Sequence, residues 1–526
     1  MNHKSRMITI TALLLMCVLN FGEIAAAQEE DYLQPVRAIR EQIRARLKQP
    51  IKTLDIGLIM ESFDFFGFMP YYVRWDGDGS RFWFQWKRWH EEEKGTFEYN
   101  LKKDSLKRLS KEEAEQVPSF GAVWDSSRKR ALWTVNDTLW LYDGTQKKSF
   151  PLISGIGSTA IPSEYIGDGS YEMCYYMTGY PFPILRYGAM EPIAFSPDGN
   201  QAIIFYRNNL YSLTLPGTGK NIQGQVMKKL TDIRPGKAPQ AEPSTKEQEW
   251  LKKEQLKFFD ALQRRRNWRE KEKARRRQNV PEPFYLDDWE VYALLPSPDL
   301  EHAVIMVYRE LPGGKRTIVP NFVTESGYTE DIPSYRLTGD DPYEVKSGII
   351  DISSGKISWV DFGLGDQDLD QYYFYWNPDN KRAVASVGAI NTNHNKDKWL
   401  AVVETPAKPG EKVTAKIIAH EHDDAYIGSA TMTNFGWLPG GERVWFVSER
   451  SGWMHVHTVS AAGGKVRSLT KGDYLIIRPH LTPGKKGVIV YASKPSPFEM
   501  LTYIQPLKGG KMRQVTSGMG RAEGVI

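Results

Sequence analysis

The chain repeats one short pattern of apolar and polar positions. A bulky apolar residue comes first, then a turn rich in Pro, Asp, Asn and Gly, and then a run of residues that favour β-strands. A short apolar run bounded by such turn residues is typical of a buried strand. The seven copies of the pattern begin at Trp75, Trp124, Phe195, Leu295, Trp376, Trp437 and Leu481.

Each copy is part of a longer unit. The clearest strand-like runs after the turn are residues 202–206, 304–308, 383–387, 444–447 and 488–491. An Asn, Asp or Gly turn then introduces another strand, and several units close with a third element of the type Lys-Lys-Leu-Thr at 228–231. Strand, turn and strand in this order predict a small antiparallel sheet, and recurrence of the sheet predicts a repeat architecture in which neighbours bury each other's faces.

These units indicate an all-β fold, a β-propeller of seven to eight blades over residues 51–526. The copies begin between 44 and 100 residues apart. Because one blade needs about 40–50 residues, the longer intervals must carry insertions. We expect the last blade to be incomplete, since the chain stops where another Ser-Pro-Asp-Gly turn would follow.

The largest insertion is residues 239–283, which begins and ends with proline-rich text. Between Lys246 and Arg277 it holds thirteen Lys or Arg against six Asp or Glu, a local charge of +7 where the whole chain carries +5. A narrow apolar stripe of Leu251, Phe258, Phe259 and Leu262 predicts a helix that lies against or projects from the propeller. A solvated helix is the simplest interpretation, and contact with an anionic membrane surface or nucleic acid remains open.

The first 27 residues predict a signal peptide. Lys4 and Arg6 precede a short apolar run, and the small residues 25–27 follow as a cleavage site. The run is shorter than the roughly 20 residues of a spanning helix, so we expect an exported protein, periplasmic or secreted, with no stable membrane anchor. Residues 28–50 then predict an amphipathic helix that ends at Pro50. Only Cys174 remains after cleavage, which excludes an intrachain disulfide.

Candidate chemistry is sparse. His420 and His422 stand two apart on a predicted strand and so point to one face, with Asp423 and Asp424 next to them. The third or fourth converging ligand that a zinc site needs is missing from the sequence, so we expect no metal and no cofactor. Apart from the insertion the charge is nearly balanced, and we expect no nucleic-acid partner.

Several stretches resemble a known family. Residues 436–441, 447–455 and 464–473, which include Ser448-Glu449-Arg450, are similar to the N-terminal propeller of dipeptidyl peptidase IV, a branch of the prolyl oligopeptidase family of serine peptidases. Residues 319–330 and 420–428, together with the basic insertion, resemble exported bacterial members. The resemblance implies a propeller that caps an α/β-hydrolase domain and admits short peptides.

The resemblance also implies a Gly-x-Ser-x-Gly nucleophile elbow, and no serine of this chain has that setting. We therefore predict a propeller portion that gates substrate and docks a hydrolase domain, without a catalytic residue and inactive alone. Its partners would be a peptide substrate or a hydrolase domain, and a second copy of the chain stays open. The alternative is a periplasmic propeller that only holds protein partners.

In this family a pair of glutamates in the propeller binds the amino terminus of the substrate. The corresponding segment here, residues 287–292, departs from that pattern, so we do not assign amino-terminus binding to it. Glu325 and Glu330, which flank Tyr328, form an alternative acidic site for a peptide amine, and we take these three as candidate substrate-binding residues. The simpler interpretation is a loop with solvated carboxylates.

Overall fold

The computed structural model describes residues 70–88, 91, 93–154, 190–216, 226–239, 245–277, 281–311, 316–336, 343–365, 369–389, 396–428, 430–517 and 521–522. The predicted signal peptide, the predicted helix at 28–50 and Cys174 lie outside these residues. None of the helices within the described ranges combines the length and the apolar character that crossing a bilayer requires.

Seven antiparallel sheets of four strands follow one another along the chain, which makes the fold a seven-bladed β-propeller. Blade 1 consists of β1 (Tyr71–Trp75), β2 (Arg81–Trp86), β3 (Gly95–Asn100) and β4 (Ser105–Arg108). Blade 2 consists of β5 (Val123–Trp124), β6 (Arg130–Val135), β7 (Thr138–Asp143) and β8 (Lys148–Ser154). Blade 3 consists of β9 (Glu191–Phe195), β10 (Gln201–Tyr206), β11 (Asn209–Thr214) and β12 (Met227–Lys229). A short helix, α1 (Lys111–Glu115), separates blades 1 and 2.

Two further pairs of strands are inserted around blade 4. They are the parallel pair β13 (Asp232–Arg234) and β14 (Pro283–Tyr285), and the antiparallel hairpin β17 (Arg316–Asn321) and β18 (Glu330–Arg336). Blade 4 itself consists of β15 (Glu290–Pro296), β16 (His302–Glu310), β19 (Tyr343–Asp351) and β20 (Ile357–Asp361), and blade 5 of β21 (Leu369–Trp376), β22 (Arg382–Ala389), β23 (Asp397–Glu404) and β25 (Lys416–His422). Between the last two strands of blade 5, β24 (Val413–Thr414) pairs in parallel with β20.

The last two blades are equally regular. Blade 6 consists of β26 (Phe435–Trp437), β27 (Arg443–Ser448), β28 (His455–Ser460) and β29 (Arg467–Ser468), and blade 7 of β30 (Ile476–Leu481), β31 (Gly487–Ala492), β32 (Met500–Pro506) and β33 (Arg513–Gln514). A short strand, β34 (Arg521–Ala522), pairs in parallel with β32. The expectation of an incomplete last blade is therefore wrong for this sheet, because all four of its strands form.

The chain divides into two compact units. One contains residues 1–73 and 80–114, where Trp83 and Phe97 are fully buried. The other contains residues 74–79 and 115–526 and holds blades 2 to 7.

The repeated pattern marks the turn between the first and second strands of every blade. In the copy at Phe195, Ser196 Oγ donates a hydrogen bond to Asp198 Oδ1 (2.6 Å) and accepts one from the Gln201 amide (2.9 Å). Gly199 closes the turn with φ of 70°, a conformation that costs glycine little. These side chains hold the turn in place, which explains why the same residue types recur.

Apolar clusters fill the space between successive blades of the larger unit. Five clusters join blades 2 with 3, 3 with 4, 4 with 5, 5 with 6, and 6 with 7. The second strand of a blade serves two of them: Val444 and Phe446 of β27 face blade 5, whereas Trp445 and Val447 face blade 7. Because both faces are covered, the four central residues of this strand are all apolar, and no blade of this unit buries its own core alone.

The basic insertion is helical, as predicted, but it forms two helices where one was expected. They are α2 (Lys246–Phe258) and α3 (Asp260–Arg277), and they lie between β13 and β14. Thr245 caps α2: its hydroxyl accepts from the Gln248 amide, and the Gln248 side chain accepts in return from the Thr245 amide.

Candidate functional site

Charged residues gather at one end of blades 4, 5 and 6, where first and third strands begin and second and fourth strands end. The antiparallel register of blade 5 places Asp370, Gly388, Lys398 and Glu421 opposite one another, one on each strand. Directly opposed residues point to the same face of a sheet. This row lies on the face that packs against blade 6, as Val384 and Leu400 of the same strands show. We call Asp370, Lys398, Glu421 and Glu449 the acid–lysine cluster.

Lys398 is the centre of this cluster and is only 2% exposed. Its ammonium group lies 3.3 Å from the Gly428 carbonyl oxygen and 3.4 Å from that of Thr431. Burial lowers the pKa of Lys398 to about 8, against the opposite pull of the carboxylates of Glu421, Glu449 and Asp370. An amine with such a pKa is partly deprotonated near neutral pH, whereas an exposed lysine is almost fully protonated there.

Glu421 connects blade 5 to blade 6. Its carboxylate accepts hydrogen bonds from the Ser448 hydroxyl and from Arg450 Nε, the latter at 2.9 Å. Burial nevertheless raises the pKa of Glu421, although Arg450 opposes the shift. Glu449, the next residue of blade 6, accepts from the Gly428 amide at 3.2 Å. These contacts fix the loop after β25 against the end of β27.

Asp370 connects blade 5 to blade 4 in the same way. The Tyr343 hydroxyl at the start of β19 donates to Asp370 Oδ2 at 3.3 Å. Burial raises the pKa of Asp370, and burial together with the Asp370 charge raises the pKa of Tyr343. Buried acids whose pKa values shift upwards are more common at functional sites than elsewhere.

The two histidines lie on the opposite face of the same sheet end. His420 Nε2 and His422 Nδ1 both contact Asp397 Oδ1, at 2.7 and 2.9 Å, and His422 Nε2 contacts Asp424 at 3.2 Å. The prediction that the two side chains share a face is confirmed. Both ring nitrogens of His422 meet carboxylates, and the bond to Asp397, followed by that to Asp424, raises the pKa of His422.

Metal binding is not indicated by this arrangement. Within the described ranges, no group of three or more His, Cys, Asp or Glu side chains has the geometry to hold an ion. His420 also stacks on Trp399, with ring centroids 5.1 Å apart and planes 5° apart, which fixes the ring by packing.

Blade 4 adds an ion-paired patch at the same end. Arg309 donates to Asp288 at 3.0 Å and to Glu344 at 2.8 Å, and its guanidinium lies 4.7 Å from the ring of Trp289. The Tyr308 hydroxyl donates to Glu290 at 2.8 Å. Asp288 and Glu290 belong to the segment that departs from the family's glutamate pair. Here both accept hydrogen bonds from residues of blade 4.

Exposed aromatic side chains lie at the same end of the blades as the charged residues. Tyr426, Trp453 and Phe498 are 55%, 44% and 89% exposed, and the loops that carry them all lie at this end of blades 5, 6 and 7. Aromatic rings beside buried charges provide apolar contact area and orientation for a peptide backbone.

The three residues chosen from the sequence lie elsewhere. Glu325 and Tyr328 are in the loop of the hairpin β17–β18, and Glu330 begins β18 opposite Asn321. Tyr328 is 80% exposed, the Ser326 hydroxyl donates to Glu330 at 3.1 Å, and the Thr324 hydroxyl donates to the Tyr328 carbonyl at 2.6 Å. The structure brings these residues together on one exposed loop, and their substrate-binding role stays a prediction.

Sequence reasoning missed the acid–lysine cluster. One signal was present: Asp397 and Lys398 open a strand whose next five residues are apolar, and buried strands rarely begin with charge. The Ser-Glu-Arg sequence at 448–450 was singled out only for its resemblance to the propeller of dipeptidyl peptidase IV. What it contacts, a glutamate some 27 residues away, depends on how blades 5 and 6 pack.

Comparisons with known proteins agree with this architecture. Residues 315–524 match the family model of the dipeptidyl peptidase IV N-terminal region. The crystal structure of Porphyromonas gingivalis dipeptidyl peptidase 4 is similar with a TM-score of 0.51 and 13% identity, over 90% of this chain and 57% of that one. A putative dipeptidyl aminopeptidase IV from Bacteroides ovatus matches with a TM-score of 0.45 and 14% identity, over 84% of this chain and 52% of that one.

The chain thus spans little more than half the length of these solved proteins. At such low identity the likeness to the Porphyromonas structure concerns the fold. The family match covers blades 5 to 7 and the last two strands of blade 4, including every member of the acid–lysine cluster. Residues 315–524 of the chain are therefore similar to the N-terminal region of dipeptidyl peptidase IV.

Proposed function

We propose that this chain is the substrate-gating and docking propeller of an exported serine peptidase of the dipeptidyl peptidase IV and prolyl oligopeptidase type. The observation that carries the proposal is the acid–lysine cluster at the end of blade 5, in which Lys398 is buried, at the same end of the blades as three exposed aromatic side chains. Carboxylates held in a low-dielectric setting bind a peptide amine more strongly than solvated ones do. Peptide recognition is the function that this combination favours.

In this proposal the propeller binds and orients, and the chemistry belongs to a hydrolase domain. No serine of the chain lies in a Gly-x-Ser-x-Gly setting, so its own residues supply no nucleophile elbow. The end of blades 4 to 7 that carries Tyr426, Trp453 and Phe498 would face both the peptide and that domain. The purified chain should remain unlabelled by a fluorophosphonate, and labelling would contradict this division of roles.

Peptide binding tests the assignment directly. A proline-containing peptide with a fluorophore at its carboxyl end, with a free or an acetylated amino terminus, is titrated with the chain and followed by anisotropy. The free amine should bind at least about tenfold more tightly, since acetylation removes the charge that carboxylates recognise. The double variant Glu421→Gln, Glu449→Gln should abolish that difference.

Glu442→Gln serves as the matched control. Glu442 is an exposed glutamate of blade 6 at the opposite end of the sheet, in the turn before β27, and contacts Arg382 at 3.0 Å. It should leave binding unchanged. Equal affinity for free and acetylated peptides in the unaltered chain would refute the amine-binding role, and loss of the preference in Glu325→Gln, Glu330→Gln alone would move the site to the hairpin.

Export is the other untested part of the proposal, and it rests on the pattern of residues 1–27. Fusing this segment to alkaline phosphatase, which is active only after export, should give periplasmic activity. A fusion in which Leu13, Leu14 and Leu15 are replaced by Gln is the control and should stay inactive. Activity from both fusions, or from neither, would contradict the signal-peptide prediction.

One observation favours the alternative of a propeller that holds protein partners. The hairpin β17–β18 exposes Phe322 and Val323 at its tip (75% and 90%) and Ile318, Val319 and Ile332 on its strands. An exposed apolar hairpin of this size is typical of an interaction surface, and a second copy of the chain is one candidate. Sedimentation that shows a stable dimer, lost in Phe322→Ser, Val323→Ser, together with no peptide binding would support this alternative.

A further inference from the structure

The helical insertion projects into solvent on all of its described sides. In α2 and α3 every described side chain is exposed except Glu254 and Glu272, which are half-buried. Among them are large apolar groups that a solvated helix has no reason to carry: Trp250 (61% exposed), Leu251 (53%), Leu262 (40%) and Trp268 (66%). Phe259, between the two helices, is 57% exposed. The insertion also lies outside the residues matched by the family model.

The charges of the insertion are not balanced locally. Three glutamates are paired within their own helices, Glu254 with Lys257 at 2.8 Å, Glu270 with Arg266 at 3.0 Å and Glu272 with Arg275 at 3.2 Å. Seven basic side chains of these helices have no ion-pair partner in the described part of the chain. They are Lys246, Lys252, Lys253, Arg264, Arg265, Arg269 and Lys271.

Exposed tryptophans and leucines among unpaired cations suit one kind of surface best. Tryptophan prefers the headgroup level of a bilayer, and basic residues are attracted to anionic lipid headgroups. Nucleic acid would engage the cations and could stack on the tryptophans, but it gives Leu251 and Leu262 nothing to contact. Neither helix is long and apolar enough to span a membrane, so contact would be with the surface alone.

We propose that α2 and α3 form a reversible docking surface for an anionic phospholipid bilayer. The unpaired lysines and arginines provide the attraction, and the exposed tryptophans and leucines enter the interface. The proposal concerns where the propeller is held and does not depend on its role towards peptides.

Vesicle flotation tests it with the complete chain. We expect the chain to float with vesicles of phosphatidylcholine containing about 30% phosphatidylglycerol and not with phosphatidylcholine alone, because each basic residue near an anionic surface adds to the attraction. The variant Lys252→Glu, Lys253→Glu, Arg264→Glu, Arg265→Glu should bind at least about tenfold more weakly. Trp250→Ser, Trp268→Ser should also bind more weakly while keeping all charges.

A matched variant separates local from global charge. Lys465, Lys485, Lys508 and Lys511 are exposed lysines of blades 6 and 7, and replacing all four with Glu changes the net charge by the same amount. This control should bind vesicles more tightly than the helix charge variant does. Equal losses in the control and in the helix charge variant would overturn the proposal, as would tight binding of a single-stranded oligonucleotide without vesicle binding.

Discussion

Lys398→Met gives the sharpest test of the acid–lysine cluster. In the folded chain the pKa of Lys398 falls from 10.5 to about 8, because the side chain is 2% exposed. A base with a depressed folded pKa binds fewer protons when folded than when unfolded between those two values. The free energy of unfolding therefore rises with pH across this window.

The size of the rise follows from the shift. One pKa unit corresponds to about 1.36 kcal/mol, so the fall in the pKa from 10.5 to about 8 lowers the free energy of unfolding at pH 7 by roughly 3 kcal/mol. Most of this loss is recovered by pH 10. The unaltered chain should thus gain roughly 2 to 3 kcal/mol between pH 7 and pH 10 from this group. Lys398→Met has no amine to titrate and should lack that gain.

The measurement is urea unfolding followed by tryptophan fluorescence at pH 7, 8, 9 and 10. Only the difference between variants is used, since tyrosines titrate equally in all of them. Lys381→Met is the control, because Lys381 is an exposed lysine of the same blade. A rise of equal size in Lys398→Met and in the unaltered chain would refute the idea that this buried amine is neutralised on folding.

Two further changes probe a turn and a histidine. Gly441 has φ of 71° and a Cα hydrogen atom directed at the Asn377 side chain, whereas Gly440 has positive φ but open space around it. Gly441→Ala should therefore lower the urea midpoint more than Gly440→Ala, because it adds a steric clash to a backbone strain of about 1–2 kcal/mol. Equal midpoints for the two variants would contradict this. His422 has a raised pKa, so its bonds stabilise the fold fully below about pH 6.5 and less as the pH rises through the raised value. Amide exchange in residues 423–428, corrected for intrinsic rates, should therefore be slower at pH 5.5 than at pH 8, and His422→Asn should remove this difference. A pH-dependent difference that persists in the variant would exclude the contact with Asp424 as its cause.

Local sequence determined the blades well. All seven copies of the apolar-turn-strand pattern lie between the first and second strands of a blade, because the turn is held by its own side chains, as at Ser196 and Asp198. The apolar run that follows is buried on both sides, so its composition alone identified it. The helices at 246–277 were equally visible, since proline-rich text and charge separate them from the strands.

The candidate site was less predictable, for a physical reason. Lys398 contacts the carbonyl groups of Gly428 and Thr431, some 30 residues later in the connection between blades 5 and 6, so its burial depends on packing that no local pattern encodes. Period-two spacing did predict that His420 and His422 share a face. It did not show that Asp397, 23 and 25 residues earlier, accepts both.

The parallel ladder of β13 and β14 has a consequence for how this protein can vary. Asp232, Ile233 and Arg234 pair with Pro283, Phe284 and Tyr285, so the chain leaves and re-enters the propeller at adjacent points. The segment between these two strands is therefore an insertion whose two ends are held one strand spacing apart. Such a segment can be lengthened, shortened or exchanged while the blades keep their register, which makes this position a suitable place to insert a different segment into the same propeller.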